Sequence, residues 1–175
     1  MLMISILDIE KNQQHAHAHS LLRECLRKRG IDYNEKTAAK NALGKPYLPQ
    51  YPEVHYNLSH ADGIAACIVS CRECGIDCER VRSFRTNVIK RAFSDKEKAI
   101  VESAADAEKD MIFTRLWTLK EAYGKAIGRG IAYDMKETDF SFQDGRILSA
   151  IKGYDFKQYI YKNEFAISVC INCIE

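Results

Sequence analysis

Gly75-Ile76-Asp77-Cys78-Glu79 and Trp117-Thr118-Leu119-Lys120-Glu121-Ala122-Tyr123-Gly124-Lys125 are the two stretches on which the reading of this chain turns. In the first, Asp77 and Glu79 are two residues apart, so at a strand end both carboxylates point to one side and Cys78 to the other. In the second, Glu121 and Lys125 are four apart in a helix-forming run and stack on one face, while Lys120 falls off that row. Three carboxylates and an ammonium suit a hard cation with oxygen ligands, such as Mg²⁺ shared with a phosphate. Taken singly, each stretch reads better as a solvated charge pair; it is the two together, in this order and spacing, that point to the metal reading.

Working outward, 175 residues with 46% apolar content make one domain or two small halves with enough material for a core. The 26 basic and 24 acidic residues leave a formal charge of +2, which supplies no field that demands nucleic acid or a membrane surface. The apolar start, Met1 to Leu7, is too short for a signal-peptide core, and no later run reaches membrane-spanning length, so a cytoplasmic protein is expected. Seven cysteines, an odd number, argue for reduced thiols. Two Cys-x-x-Cys pairs, Cys71/Cys74 and Cys170/Cys173, offer four thiols to a zinc ion, but they are far apart in the chain. The second pair also lies in a strand-like run, where residues three apart face opposite ways. Buried apolar thiols are the expectation.

In chain order, Ile4 to Ile9 reads as a first strand. His15, His17 and His19 invite a metal reading, yet a helix would spread them, and surface histidines are expected. From Ser20, placed as N-cap, the pattern is helical: Leu21, Leu22, Cys25 and Leu26 form the apolar stripe, and Gly30 stops it. Residues 31–52 read mostly as loop around Gly44-Lys45-Pro46. Val54 to Leu58, ending in Ser59-His60, and the apolar run Ile64 to Ser70 are strands, and Cys71 to Gly75 turns into the strand of Asp77 and Glu79. Ser94-Asp95-Lys96-Glu97 has the form of a capping box, which by itself explains Glu97. A longer helix runs from about Ala107 to Ile127 and ends at Gly128 and Gly130. The tail turns to period two over Asp139–Gln143, an Asp144-Gly145 turn, Arg146–Ile151, Phe156–Tyr161 and Phe165–Ile174, which predicts one antiparallel sheet.

Gly44-Lys45-Pro46, Asn57-Leu58-Ser59-His60, Gly75 to Glu79, Phe93-Ser94 with Glu97, and Trp117 to Lys125 occur in an order and at separations that resemble the 4′-phosphopantetheinyl transferase superfamily, surfactin-synthetase-activating type. The resemblance runs from about Ser20 to the C-terminus. It implies an α+β fold, a pseudo-dimer of two similar halves, each a long helix packed on a small antiparallel sheet. The halves would be roughly 1–74 and 75–175, with coenzyme A in the cleft between them. It further implies transfer of the phosphopantetheine arm of coenzyme A to a serine of an apo acyl or peptidyl carrier protein, leaving adenosine 3′,5′-bisphosphate. A monomer is expected, because one chain supplies both halves.

Carried over residue by residue, the resemblance makes Asp77, Glu79 and Glu121 the Mg²⁺ ligands, and Lys125 the group that neutralises the departing phosphate. Glu121 or Glu97 takes the serine proton. Gly44, Lys45 and Pro46 line the adenine site, Ser59, His60 and Lys125 meet coenzyme A phosphates, and Lys120 faces phosphate too. Two departures stand out. The N-terminus is shorter than is usual in the family and lacks its basic cluster, so Ser20 and His60, helped by Arg23 or Lys45, are left to hold the ribose 3′-phosphate. Cys78 replaces an aliphatic residue, facing away from the ligands for packing. Two other readings use the same residues: a metal-dependent phosphohydrolase, and a homologue that binds coenzyme A or a carrier protein without turnover.

Overall fold

The uninterrupted apolar run Ile64–Ser70 becomes a strand buried on both faces, and that decides the layering. The computed structural model describes residues 1–6, 10–83 and 86–173, with the side chain of residue 131 left aside. In chain order the elements are β1 (Leu2–Ile6), α1 (Gln14–Arg27), a small hairpin of β2 (Ala39–Lys40) and β3 (Pro46–Tyr47), β4 (His55–Ala61), β5 (Ile64–Ser70) and β6 (Cys74–Arg80). There follow α2 (Thr86–Ala92), α3 (Asp95–Ser103), α4 (Asp106–Ala126), a hairpin of β7 (Phe140–Gln143) and β8 (Arg146–Ser149), β9 (Tyr154–Tyr161) and β10 (Phe165–Asn172). The fold is α+β.

Two three-stranded antiparallel sheets carry it, ordered β1-β5-β4 and β6-β10-β9. In each, the last strand of its segment sits in the middle, flanked by the first strand and the penultimate one; each segment also carries a long helix and a separate two-stranded hairpin. Period-two alternation sorts the side chains. Cys67 and Val69 of β5 pack with Leu22, Cys25 and Leu26 of α1, while Ile64, Ala66 and Ile68 face Cys74, Ile76 and Cys78 of β6. The other face of the second sheet is covered by α4 through Ala122 and Ala126 against Cys170. The layers therefore run helix, sheet, sheet, helix. Cys78 lies wholly buried in the core between the sheets, as its alternation with Asp77 and Glu79 requires.

Several sequence expectations need correction. The first helix begins at Gln14, after a 3₁₀ turn over Lys11–Gln13, so Ser20 is no N-cap. It lies exposed in mid-helix and donates its hydroxyl to His17 O. Because the helix starts early it carries all three histidines and spreads only His17, which bonds Ser5 Oγ, while His15 and His19 lie with ring centroids 4.4 Å apart. The four tail strands do not form one sheet, since β7 and β8 pair only with each other and β9 and β10 join β6. Helix α2 carries little apolar periodicity and was not foreseen. The first strand ends at Ile6, and Ile9 and Ile174 lie outside the described residues. The seven thiols are free, with Cys74 and Cys170 buried, and among the described residues they form no metal-ligating cluster.

Other local readings match. Ser94 Oγ accepts from Glu97 N while Glu97 accepts from Ser94 N, a full capping box. Asp144 and Gly145 both have positive φ, 50° and 75°, as the tight β7–β8 turn demands. Gly75 has a different reason to be glycine. A Cβ there would stand 2.1 Å from Ala122 O and 2.4 Å from Ala126 N, so the missing side chain is what lets α4 cross directly over β6. Gly75→Ala should therefore lift α4 off the strand that carries Asp77 and Glu79. We expect a loss of about 3 kcal/mol in urea unfolding, the upper end for overpacking against backbone that has nowhere to go. A loss under about 0.5 kcal/mol, typical of a neutral surface change, would show that the approach is not so close.

Candidate active site

Strand β6 is an edge of its own sheet, so every second backbone N–H points away from β10 and needs a partner. Strand β4 supplies it from side chains. Asn57 Oδ1 accepts from Ile76 N at 2.9 Å, and Ser59 Oγ accepts from Cys78 N at 3.2 Å. The residue between those two amides is Asp77. Ser59 donates to its Oδ1 at 2.9 Å, and Lys125 Nζ, one face of α4, donates to the same oxygen at 2.7 Å and to Ser59 Oγ at 3.1 Å. Asp77 Oδ2 is buried and has no hydrogen-bond partner. An unpaired carboxylate oxygen out of water is costly, which makes it a natural ligand for a cation.

Asp77 also lines a cavity of about 330 Å³, together with Ser59, His60, Glu79, Glu121 and Lys125, with Leu58 and Trp117 on its walls. Burial and the charge of Asp77 push Glu79 up to about 7, and the same two causes push Glu121 up to about 7. Burial works to lower Lys125, but the charge and hydrogen bond of Asp77, with Glu121, outweigh it and raise the ammonium, which stays charged. Three carboxylates share a low-dielectric space with one cation of the protein, and a divalent ion would neutralise what remains. The donor set is all oxygen and the orphaned Asp77 Oδ2 faces no competing partner, so the residues fit Mg²⁺. Among the described residues a second group of metal-ligating side chains lies elsewhere: His15, His19 and Glu35, whose ligand atoms all fall within 4.8 Å of one another.

The other sequence candidates divide. His60, exposed, lines the cavity; burial, then the nearby His15 and Lys125, lower its pKa. Ser59 commits its hydrogen to Asp77, so it serves the seam between β4 and β6 and is not free to meet a phosphate. Lys45 and Pro46 line a second cavity of about 260 Å³, walled by Tyr47, Tyr51, Tyr56 and Val54, while Gly44 at φ 84° shapes the hairpin turn. From there Lys45 Nζ reaches across to Ala126 O, a carbonyl at the end of α4 one residue past Lys125. Glu97 and Lys120 are absent from the cavity altogether. They form a pair 2.8 Å apart with both side chains fully buried. Glu97 Oε1 accepts from Phe140 N and Oε2 from Ser94 N, and Lys120 Nζ donates to Met135 O and Thr138 O. That corrects Glu97 as the base and Lys120 as a phosphate contact, since every polar atom of the pair is in use and none reaches solvent. Trp117 walls both the cavity and an adjoining one of about 280 Å³ that holds Arg80, Arg82 and Phe113. The basic pair just past Glu79 was the sequence signal for that second space.

A family model described as the 4′-phosphopantetheinyl transferase superfamily matches residues 73–170, more than half the chain. A 4′-phosphopantetheinyl transferase of Bacillus subtilis is 27% identical over 146 residues, covering 81% of this chain and 65% of the relative. The 4′-phosphopantetheinyl transferase HetI of a Nostoc species is 43% identical over 109 residues, covering 59% of this chain and 46% of the relative. The chain thus spans less than two thirds of the length of either. A solved holo-(acyl-carrier-protein) synthase of Bacillus anthracis is similar over 57% of this chain and 94% of its own, at 16% identity and a TM-score of 0.49, too partial a likeness to bear on the site.

The Glu97–Lys120 pair generates a test. Removing one partner leaves the other charge buried, so Lys120→Met should cost roughly 3–5 kcal/mol, and adding Glu97→Gln to it should return much of that loss. Urea unfolding of the two single variants and the double variant measures the coupling. Additive losses would place the two groups in separate environments.

Proposed function

Because this chain belongs to the 4′-phosphopantetheinyl transferase superfamily, we propose that it transfers the 4′-phosphopantetheine arm of coenzyme A to a serine hydroxyl of an apo acyl or peptidyl carrier protein. The single observation that carries the reading is the cavity that Asp77, Glu79, Glu121 and Lys125 line together, with one buried oxygen of Asp77 left without a partner. The reaction forms a bond from the serine oxygen to the phosphorus nearer the pantetheine. It breaks that phosphorus's bond to the bridging oxygen, and adenosine 3′,5′-bisphosphate departs. Several negative charges crowd together at that moment, so the protein's work is positioning and neutralisation.

Asp77, Glu79 and Glu121 would hold Mg²⁺, which when bound supplies Lewis-acid neutralisation of the pyrophosphate oxygens. Lys125 stands on the same cavity, fixed by Asp77 and Ser59, and offers its charge to the leaving phosphate. With Glu97 sealed in the core, the serine proton goes to Glu121, directly or through a water. The aromatic-walled cavity at Lys45 suits a flat adenine. Lys45 ties that cavity to the end of α4, so one extended donor spans both spaces. His60 meets the donor's phosphates. The division of the chain near residue 74 follows the point where the second sheet begins. We assign the protein to the cytoplasm as a monomer, with no nucleic-acid or membrane partner. The near-balanced charge supports the lack of a nucleic-acid partner, and the two similarly built segments within one chain support the monomer; among the described residues no helix is long and apolar enough to cross a membrane.

Intact-mass measurement of apo carrier protein incubated with coenzyme A, Mg²⁺ and this protein tests the proposal. The arm should appear on the carrier. It should disappear when the metal is chelated, and fall by at least about 10²-fold for Asp77→Ala and for Glu121→Ala, with circular dichroism unchanged. Near-normal transfer by either folded variant sinks the site assignment. Release of phosphopantetheine with no carrier present would instead favour hydrolysis.

A further inference from the structure

Helix α1 presents a second group of chemistry-bearing side chains that the transfer reaction does not use. His15 and His19 are four residues apart and so stack on one face of the helix, with their rings 4.4 Å apart and tilted by 37°. Opposite them stands Glu35, the first residue of a 3₁₀ turn over Glu35–Thr37. That turn is held by Asn34, whose side chain accepts from Lys36 N and whose carbonyl accepts from Thr37 Oγ1. Glu35 Oε1 lies 3.8 Å from His15 Nε2 and 3.6 Å from His19 Nε2. Ligands on a tetrahedral ion with bonds of about 2.0–2.1 Å stand roughly 3.3 Å apart, so both contacts need to close by only a few tenths of an ångström.

The orientation of His19 is already fixed by a neighbour. His19 Nδ1 meets the hydroxyl of Tyr33 at 2.9 Å, and Tyr33 is itself buried and linked to Tyr56. An imidazole that spends Nδ1–H on a fixed acceptor turns the lone pair of Nε2 outward, which here means toward Glu35. His17, on the other side of the helix, bonds Ser5 and takes no part.

We infer that His15, His19 and Glu35 form a binding site for a borderline divalent transition-metal ion of the Zn²⁺ type, separate from the carboxylate cavity of Asp77, Glu79 and Glu121. Two imidazoles and one carboxylate, with a fourth position left to water, is a donor set for zinc and its neighbours. Mg²⁺ prefers a nearly complete oxygen shell and belongs in the other cavity. The ion would clip the N-terminal turns of α1 to the segment that follows the helix. It would also sit beside the donor space, since the ring of His60 lies 6.1 Å from that of His15, edge to face.

Cobalt(II) is a coloured stand-in for zinc and gives a test that does not depend on catalysis. The full chain is titrated with Co²⁺ at neutral pH in excess Mg²⁺, which occupies the oxygen site. One Co²⁺ per chain should bind with a visible spectrum of nitrogen and oxygen ligands, and equimolar Zn²⁺ should displace it. Binding should weaken by at least about 10-fold in His15→Ala, His19→Ala and Glu35→Gln, each on an exposed or half-exposed position, and by roughly 10–100-fold in Tyr33→Phe, which removes only the orienting hydroxyl. His17→Ala should bind as the wild type does. The inference is overturned by an absence of stoichiometric binding, by equal binding in His19→Ala, or by a sulfur-to-metal charge-transfer band that assigns the ion to cysteines.

Discussion

The free edge of β6 is the constraint on which the rest depends. A strand buried between two layers cannot leave its outward amides unpaired, and a fourth backbone strand on that side would have merged the two sheets into one. Instead Asn57 and Ser59 reach across from β4 and accept from Ile76 and Cys78. Side chains are longer than a ladder hydrogen bond, so the sheets remain separate and the space beside them stays open. Because the two accepted amides flank Asp77, the same pair of bonds fixes the height and rotation of the residue at the centre of the site. The glycine at 75 completes the arrangement by letting α4 lie directly on β6, which brings Glu121 and Lys125 down onto Asp77.

Two lysine–carboxylate pairs, both donated to by α4, show how differently the same chemistry can be used. Lys120 and Glu97 are fully enclosed, and each oxygen and the ammonium are satisfied by backbone groups as well as by each other. That pair joins α4 to the start of α3 and to the segment before β7, and offers nothing to a ligand. Lys125 and Asp77 are also close, but one oxygen of the aspartate is left over and two further carboxylates share its space. An incomplete set of partners in a buried place is poor for stability and good for binding. The contrast follows from five residues of helix, which carry the two lysines to opposite sides of one rod.

Much of this was legible in the chain. Period two over 75–79 placed Asp77 and Glu79 together and Cys78 in the core, and four-residue spacing placed Lys125 above Glu121, because both periods are set by backbone geometry alone. The capping box at Ser94, the turn at Asp144-Gly145 and the strand Ile64–Ser70 are equally local and matched the structure. The role of Glu97 was only half legible. Sequence showed that it could cap a helix, while its second oxygen and the arrival of Lys120 depend on how α4 packs against α3.

What only the tertiary structure decided are the relations between segments far apart in the chain. Sequence could not say that Asp77 Oδ2 is left without a partner, that Ser59 gives its hydrogen to Asp77, or that Lys45 ends on the carbonyl of Ala126, because each needs two elements brought together by the core. The start of α1 was misjudged for a related reason. Gln14 to His19 have little apolar pattern of their own, and the helix extends through them because Gln14 and Ala18 are buried in line with Leu22, Cys25 and Leu26. That packing, invisible in a run of alternating histidine and alanine, set His15 and His19 on one face. The sequence by itself determined which residues would share a side, while the packing of sheets and helices determined what each side would meet.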